Sequence, residues 1–144
     1  MNRLTKDEYF IELVKTVAKR STCIRREVGC ILVDKYSHIV STGYNGVPIG
    51  APHCILEPCI GANSPSGTDL HACKAIHAEQ NAIIQCTRPY EVVMAICTTA
   101  PCIICTRMLL NLPNCNEILF INDYPHLDAK DEWLKANRIW RKFQ

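Results

Sequence analysis

Residues 91–122 read EVVMAICTTAPCIICTRMLLNLPNCNEILFIN, and the pattern of apolar residues in this segment indicates the class of fold. The runs Glu91–Thr98 and Glu117–Asn122 are short and apolar, which is typical of buried strands. Between them, Cys102–Leu112 is predicted to be a helix, with Pro101 suited to its entrance because proline has no N–H to leave unpaired. A strand, a helix and a second strand in this order predict a βαβ crossover and parallel strands in one sheet.

The alternation of strands and helices extends on both sides of this stretch. Downstream, Asp128–Ala136 is predicted as a helix that Asn137 ends in a left-handed conformation, and Ile139–Phe143 as a last strand. The upstream predictions are an amphipathic helix over Lys6–Arg20 with the capping pair Thr5 and Glu8, a hairpin of strands Val28–Val33 and His38–Thr42, and a helix over Leu70–Cys86. The predicted fold is α/β with three layers, α-β-α: a mixed five-stranded sheet with the hairpin at one edge and helices on both faces.

Length and charge limit the classes of function. With 144 residues the chain is predicted to form a single domain over residues 1–144. The formal net charge of +2 and the scattered basic residues argue against a large nucleic-acid footprint. The N-terminus MNRLTKDEYF has no apolar signal region, and no stretch is long and apolar enough for a membrane span. We therefore predict a cytoplasmic protein that binds neither nucleic acid nor membrane.

The chain contains ten cysteines, which in a secreted protein would suggest a disulfide scaffold. Since no signal peptide is recognisable, metal binding or plain burial is the better interpretation. Cys30 and Cys97 lie inside predicted apolar strands, where cysteine behaves as a small hydrophobic residue. We predict that these two belong to the core.

Two short motifs carry chemistry: His77-Ala78-Glu79 within a predicted helix, and Pro101-Cys102-Ile103-Ile104-Cys105 where a strand gives way to a helix. One imidazole and two thiolates form a common catalytic zinc set, and cysteines three residues apart at a helix N-terminus can face one point. Zinc held in this way lowers the pKa of its water toward ~7, and Glu79 is placed to shuttle protons. Together the two motifs match the signature of zinc deaminases.

Either motif alone has simpler interpretations. A single C-x-x-C is more often structural or redox-active than catalytic, and a single helical histidine is usually an ordinary polar residue. A thioredoxin-like motif needs no His-x-Glu, and a zinc ribbon needs a second C-x-x-C, which is absent. Both motifs in this order, with a strand between them, favour a catalytic zinc.

The chain resembles the cytidine deaminase superfamily, and within it the deoxycytidylate deaminases, over essentially its full length. The segments that carry the resemblance are Ser21–Gly29 (STCIRREVG), Thr42–Gly50 (TGYNGVPIG), His77–Ile83 (HAEQNAI) and Pro101–Cys105 (PCIIC). The metal motif is shared with tRNA adenosine, cytidine and guanine deaminases. Gly-Tyr-Asn-Gly and His-Ala-Glu-x-Asn-Ala are what point to dCMP.

This resemblance implies a cytidine-deaminase-like fold and the hydrolytic deamination of dCMP to dUMP and ammonia. It assigns the catalytic zinc to His77, Cys102 and Cys105 and the proton shuttle to Glu79. The implied substrate-binding residues are Ser21, Arg25, Arg26, Asn45 and Tyr124, with Asn45 on the deoxyribose and the others on or near the 5′-phosphate. The implied effector loop is Gly43, Tyr44, Asn45 and Gly46, where dCTP with Mg²⁺ activates and dTTP inhibits. The family also implies a homo-oligomer, most commonly a hexamer.

Residues 51–70 show no periodicity, and a structureless loop of this length requires an explanation. Relatives of this subtype carry a second, structural zinc, and a closed four-ligand site would tie such a loop down. The ligands that we predict for it are Cys23, Cys54, Cys59 and Cys73, with His53 or His71 as replacements for one of them.

Three rival functions remain at this point. A tRNA adenosine deaminase shares the metal motif but needs a positive face, for which +2 is thin support. A nucleoside cytidine deaminase lacks a phosphate-holding arginine and uses a different cysteine pattern. A non-catalytic zinc module that binds nucleic acid would need a basic stripe with interleaved aromatic residues, which this sequence lacks.

Overall fold

The centre of the molecule is a mixed sheet of five strands, which lie in the order β2 (Ile39–Tyr44), β1 (Gly29–Asp34), β3 (Val92–Thr99), β4 (Glu117–Asn122) and β5 (Ile139–Lys142). The computed structural model describes residues 1–59, 61–63, 65, 68 and 74–144. Strand β1 is antiparallel to β2 and β3, whereas β3, β4 and β5 are mutually parallel. The predicted mixed sheet with a hairpin at one edge is confirmed.

One face of the sheet is covered by helix α1 (Lys6–Ala18). Its buried residues Phe10, Ile11 and Val14 pack against Ile31 of β1 and Leu119 of β4. Burial of each such side chain contributes about 1.5–3 kcal/mol, so this face anchors the sheet. The capping pair is as predicted: the Thr5 N–H donates to Glu8 Oε1 at 2.9 Å, and the Glu8 N–H donates to Thr5 Oγ1 at 3.1 Å.

The opposite face carries helices α2 (Ala78–Gln85), α3 (Ile103–Leu110) and α4 (Asp128–Lys135). Ala82 of α2, Leu109 of α3 and Trp133 of α4 belong to one buried cluster with Ala95 and Cys97 of β3. Helices on both faces confirm the predicted three layers. None of the described helices has the length and apolar character that a membrane crossing needs.

The prediction that Leu70–Cys86 forms one helix is wrong over its first described part, because α2 begins only at Ala78. Ile76 forms an antiparallel bridge with Gly46: the Gly46 N–H donates to the Ile76 carbonyl at 3.1 Å and the Ile76 N–H to the Gly46 carbonyl at 2.7 Å. This pairing holds residue 76 extended, so the helix cannot form before His77. The other elements end within two residues of their predicted bounds, and Asn137 has the predicted positive φ, 60°.

The C-terminal end of α3 is closed by Arg138, which sequence analysis did not single out. Its guanidinium donates to the carbonyls of Leu110 at 2.9 Å, Leu112 at 3.2 Å and Cys115 at 2.8 Å. It also lies 5.2 Å from the ring centre of Trp133. A cation here satisfies carbonyls that a helix end leaves unpaired. Arg138 therefore joins α3 to α4.

Cys30 and Cys97 form no disulfide within the part of the chain that the structure describes. Cys30 of β1 and Cys97 of β3 are fully buried and face each other in register, with their sulfurs 3.8 Å apart. The prediction that both belong to the core is confirmed.

Candidate metal centre and active site

His77 is the N-cap of α2, directly after the Gly46–Ile76 bridge. Its backbone N–H donates to Gln80 Oε1 at 3.0 Å, which fixes the first turn of the helix. An N-cap residue has extended backbone, here with φ −69° and ψ 152°. The imidazole is therefore positioned by two constraints, the bridge before it and the helix after it.

Cys102 and Cys105 lie where β3 gives way to α3. Cys102 is the N-cap, and its sulfur accepts from the Cys105 N–H at 3.5 Å. The first turn of α3 brings both sulfurs to the imidazole: His77 Nδ1 lies 3.5 Å from Cys102 Sγ and 3.2 Å from Cys105 Sγ. The three residues predicted as a metal set are thus gathered in one place.

The geometry of this cluster suits zinc. Its three donor atoms all lie within 4.8 Å of one another. Zinc–ligand bonds of ~2.3 Å to sulfur and ~2.1 Å to nitrogen at a tetrahedral angle place sulfur and nitrogen about 3.6 Å apart, close to the observed separations. Three protein ligands also leave a fourth position for water or substrate. No other cluster of this kind occurs among the described residues.

The charges at the cluster point to a cation. The pKa of Cys102 is lowered to about 4, because its sulfur accepts from Cys105 and faces His77. The neighbouring sulfur and burial instead raise the pKa of Cys105, since two adjacent thiolates repel each other. A metal ion shared by both sulfurs removes this conflict, because metal binding displaces thiol protons.

Glu79 lies in the first turn of α2, two residues after His77, and is only 3% exposed. Burial raises its pKa above the usual value for a glutamate. A carboxyl of this kind can exchange its proton nearer to neutral pH than an exposed one. Glu79 and His77 line the same pocket, so the carboxyl faces the space beside the metal cluster.

Most of the predicted substrate residues line this pocket as well. Arg25, Arg26, Asn45 and Tyr124 are among its walls, whereas Ser21 is not. The guanidinium carbon of Arg26 lies 5.8 Å from the centre of the Tyr124 ring. The Tyr124 hydroxyl is buried and has no hydrogen-bond partner within the part of the chain that the structure describes. A polar ligand in the pocket would satisfy this hydroxyl.

The two neighbouring arginines have different surroundings. Arg25 donates to three carbonyls of the following loop: Gly61 at 3.4 Å, Pro65 at 2.5 Å and Thr68 at 2.5 Å. Much of its guanidinium is therefore used to hold that loop. Arg26 is instead the arginine that lies beside the Tyr124 ring.

Asn45 and Ser21 hold the backbone that carries these arginines. The Asn45 side chain accepts from the Val28 N–H at 2.9 Å and donates to the Arg26 carbonyl, also at 2.9 Å. The Ser21 hydroxyl donates to the same Arg26 carbonyl at 3.3 Å. Both residues shape the pocket wall, and their predicted direct contacts with substrate stay predictions.

Several pocket residues escaped sequence analysis: Val28, Ala75, Ala78, Thr99 and Ala100 also line the cavity. Their side chains are small or apolar, so they supply shape rather than chemistry. The only feature of the sequence that could have identified them is proximity, because each lies within four residues of a motif position near β1, α2 or the end of β3.

The predicted effector loop divides into two parts. A Cβ atom on Gly43 would lie 2.3 Å from the Ala78 carbonyl oxygen, so this glycine permits close packing of β2 against α2. Tyr44 and Gly46 instead line a surface groove with residues 47–51 and Asn81 of α2. The groove is separate from the pocket. The Gly46–Ile76 bridge connects the two, since Gly46 lines the groove and Ile76 directly precedes His77 of the pocket.

The cysteines predicted for a second zinc are only partly described. Cys54 Sγ and Cys59 Sγ lie 3.8 Å apart. The Ile55 N–H donates to the Thr22 carbonyl at 3.2 Å, which brings this loop to the segment that contains Cys23. Cys23 itself lines the pocket. Cys73 and the alternative ligand His71 lie outside the described residues.

Comparison with known proteins agrees with this geometry. A family model for the cytidine and deoxycytidylate deaminase zinc-binding region matches residues 4–121. A deoxycytidylate deaminase of Schizosaccharomyces pombe is 38% identical over 82% of this chain and 37% of its own length. One from Mycobacterium phage D29 is 34% identical over 76% of this chain and 89% of its own length.

The dCMP deaminase of cyanophage S-TIM5, solved in complex with dCMP and dUMP, has the same fold. It superposes with a TM-score of 0.74 at 21% identity, covering 99% of this chain and all of that one. The chain spans less than two fifths of the fission yeast protein. The family match over residues 4–121, with the His77–Cys102–Cys105 cluster inside it, shows that the chain belongs to the cytidine and deoxycytidylate deaminase family.

Proposed function

We propose that this protein deaminates dCMP hydrolytically to dUMP and ammonia. The observation that carries the proposal is the His77–Cys102–Cys105 cluster with the buried Glu79 beside it in one pocket. The names of the fission yeast and phage relatives support this substrate. We further propose that residues 1–144 act as one catalytic domain and that the protein is cytoplasmic.

In this proposal His77, Cys102 and Cys105 hold zinc. A bound zinc ion supplies activation of water near neutral pH. Glu79 moves the protons: its carboxylate takes one proton from the attacking water and passes it to the ring nitrogen beside C4, and then takes the second proton from the same oxygen and passes it to the departing amino group. An oxygen atom from water replaces the amino group at C4, and ammonia leaves. The raised pKa of Glu79 fits both the acid and the base role.

Arg26 and Tyr124 form the proposed end of the pocket for the 5′-phosphate. A guanidinium offers phosphate two parallel donors, and the unpartnered Tyr124 hydroxyl offers a third. Arg25 contributes by holding the carbonyls of Gly61, Pro65 and Thr68 in the following loop, and Ser21 and Asn45 contribute by fixing the Arg26 backbone. Arg26→Ala should therefore raise KM for dCMP more than for deoxycytidine, which has no phosphate.

The test is ammonia release by zinc-loaded protein given dCMP, deoxycytidine, dCTP or a tRNA anticodon stem. The proposal expects turnover of dCMP, and loss of turnover with retained zinc in Glu79→Gln. Turnover of deoxycytidine or of the tRNA stem with inert dCMP would refute the substrate assignment. Unchanged turnover in Glu79→Gln would refute the proton shuttle.

Regulation by dCTP and dTTP with Mg²⁺ is a further part of the proposal. Its support is the groove lined by Tyr44 and Gly46, and the bridge that links Gly46 to the residue before His77. Two exposed apolar residues that line this groove, Ile49 and Ile84, support self-association, for which we propose a hexamer. Rates measured with each triphosphate, and the mass in light scattering, test both points.

A second, structural zinc on Cys23, Cys54, Cys59 and Cys73, with His53 or His71 as a substitute, also remains a proposal. The close approach of Cys54 and Cys59 supports it. Two zinc ions per chain, falling to one in Cys54→Ala, are expected by metal analysis. One zinc per chain in the fully reconstituted wild type would contradict it.

A further inference from the structure

Asn81 belongs to the motif segment His77–Ile83, and the proposed chemistry gives it no role. It lies on α2, two residues after Glu79, and its side-chain amide donates to the Tyr44 carbonyl at 2.8 Å. Tyr44 is the last residue of β2, and the close packing of β2 on α2 at Gly43 brings this carbonyl within reach. Asn81 therefore joins the helix of the proposed proton shuttle to the end of β2.

The residue that follows this carbonyl is Asn45, which holds the backbone of Arg26. Its side chain donates to the Arg26 carbonyl and accepts from the Val28 N–H, both at 2.9 Å. Asn45 is itself held from two sides, because Asn81 fixes the peptide before it and the Gly46–Ile76 bridge fixes the residue after it. Of these two constraints only the Asn81 bond is made by a side chain, so a substitution can remove it alone.

A nucleotide has to reach two separate parts of the pocket at once. In the proposed function its ring lies beside Glu79 and its 5′-phosphate lies at Arg26. Glu79 belongs to α2, whereas Arg26 belongs to the segment before β1. Since the length of the nucleotide is fixed, productive binding depends on the separation of these two parts. The hydrogen bonds that run from Asn81 through Asn45 to Arg26 fix this separation.

We propose that Asn81 is a positioning residue, which sets the distance between the ring end and the phosphate end of the pocket. The inference rests on the proposed deamination of dCMP. Without the amide donor, Asn45 and the Arg26 backbone lose one of their constraints, whereas Glu79 keeps its place on α2. KM for dCMP should therefore rise with kcat nearly unchanged, and binding of a ligand without a phosphate should be affected less.

The experiment compares Asn81→Leu and Asn81→Asp with Gln85→Leu. Leucine and aspartate are close to asparagine in size, and neither donates to a carbonyl at neutral pH. Gln85 is the matched control, since it carries the same amide group, lies one turn later on the same face of α2, lines the same groove and is exposed. We expect KM for dCMP to rise roughly fivefold in both Asn81 variants and to keep its wild-type value in Gln85→Leu. The inhibition constant of deoxycytidine, measured as a competitor of dCMP, should change by less than about twofold.

Two further measurements follow the path of hydrogen bonds. In an Asn45→Ala background, Asn81→Leu should add little to KM, because the connection to Arg26 is already broken. Hydrogen exchange supplies a readout that does not depend on turnover. The Val28 N–H, which donates to Asn45, should exchange faster in Asn81→Leu than in Gln85→Leu.

Equal values of KM in Asn81→Leu and Gln85→Leu would overturn the inference, as would equal losses of affinity for dCMP and deoxycytidine. Additive effects of the Asn81 and Asn45 substitutions, or wild-type exchange at Val28, would refute the path. Asn81→Asp carries the same comparisons if the leucine variant does not fold. If the wild type proves inactive on dCMP, the proposed function fails, while the exchange rates still decide whether Asn81 holds the Asn45 segment.

Discussion

Replacement of Arg138 by alanine should destabilise the protein through α3, the helix that begins with the two cysteines of the metal cluster. The substitution removes the donors to the carbonyls of Leu110 and Cys115, at 2.9 and 2.8 Å. Hydrogen bonds to charged groups contribute about 1.5 kcal/mol each at the lower end of their range, so these two give about 3 kcal/mol. Since Tm falls by about 3 °C per kcal/mol in a chain of this size, the expected decrease is roughly 10 °C.

The assay is thermal and urea unfolding of the zinc-loaded protein, followed by circular dichroism. Arg107→Ala is the control. Arg107 is an exposed arginine within α3, and its guanidinium pairs with the Glu132 carboxylate at 2.6 Å. Exposed ion pairs contribute little, so Arg107→Ala should melt close to the wild type. Arg138→Lys should fall between wild type and Arg138→Ala, because lysine keeps the charge but loses the fork. Equal melting temperatures for Arg138→Ala and Arg107→Ala would refute the reasoning.

Three further predictions concern packing, pH and metal. Gly43→Ala and Gly29→Ala should each lower the free energy of unfolding by about 1–3 kcal/mol, because the added Cβ meets the backbone of α2 at Gly43 and of α1 at Gly29. When kcat is measured for both variants, only Gly43→Ala should lower it. The hydrogen bond to Arg141 lowers the pKa of Asp7. The stabilisation by this carboxylate is therefore fully present above pH ~4 and is lost as the pH falls through the lowered pKa. In Asp7→Asn, the free energy of unfolding measured in urea should vary less over this acidic range, and an unchanged pH profile would contradict the prediction. Zinc removal by a chelator should abolish turnover and lower Tm, with both restored by zinc; full activity of metal-free protein would exclude the proposed chemistry.

The fold was predictable wherever neighbouring residues decide the structure. Strands β3 and β4 with α3 between them follow from local periodicity, and the Thr5 cap follows from residue type and spacing. The metal cluster was also predictable, because its residue types and the spacing of Cys102 and Cys105 at the start of α3 are local features of the sequence.

The start of α2 was not predictable, because residue 76 is held extended by Gly46, thirty residues earlier in the chain, and such a bridge leaves no periodic signal. The different positions of Arg25 and Arg26 have the same origin. Arg25 bonds to carbonyls 36 to 43 residues away, whereas Arg26 lies over Tyr124. Adjacent residues of one type are distinguished only by distant parts of the fold.

The closure of α3 by Arg138 has a consequence for the order of events during synthesis. Arg138 follows Leu110, whose carbonyl it binds, by 28 residues. At about 5–20 residues per second a ribosome needs roughly 1–6 s to add them. For that interval Cys102 and Cys105 already exist at the start of a helix whose far end is still open. The contact that closes the helix can therefore form only after Arg138 has been added and both segments have left the ribosome.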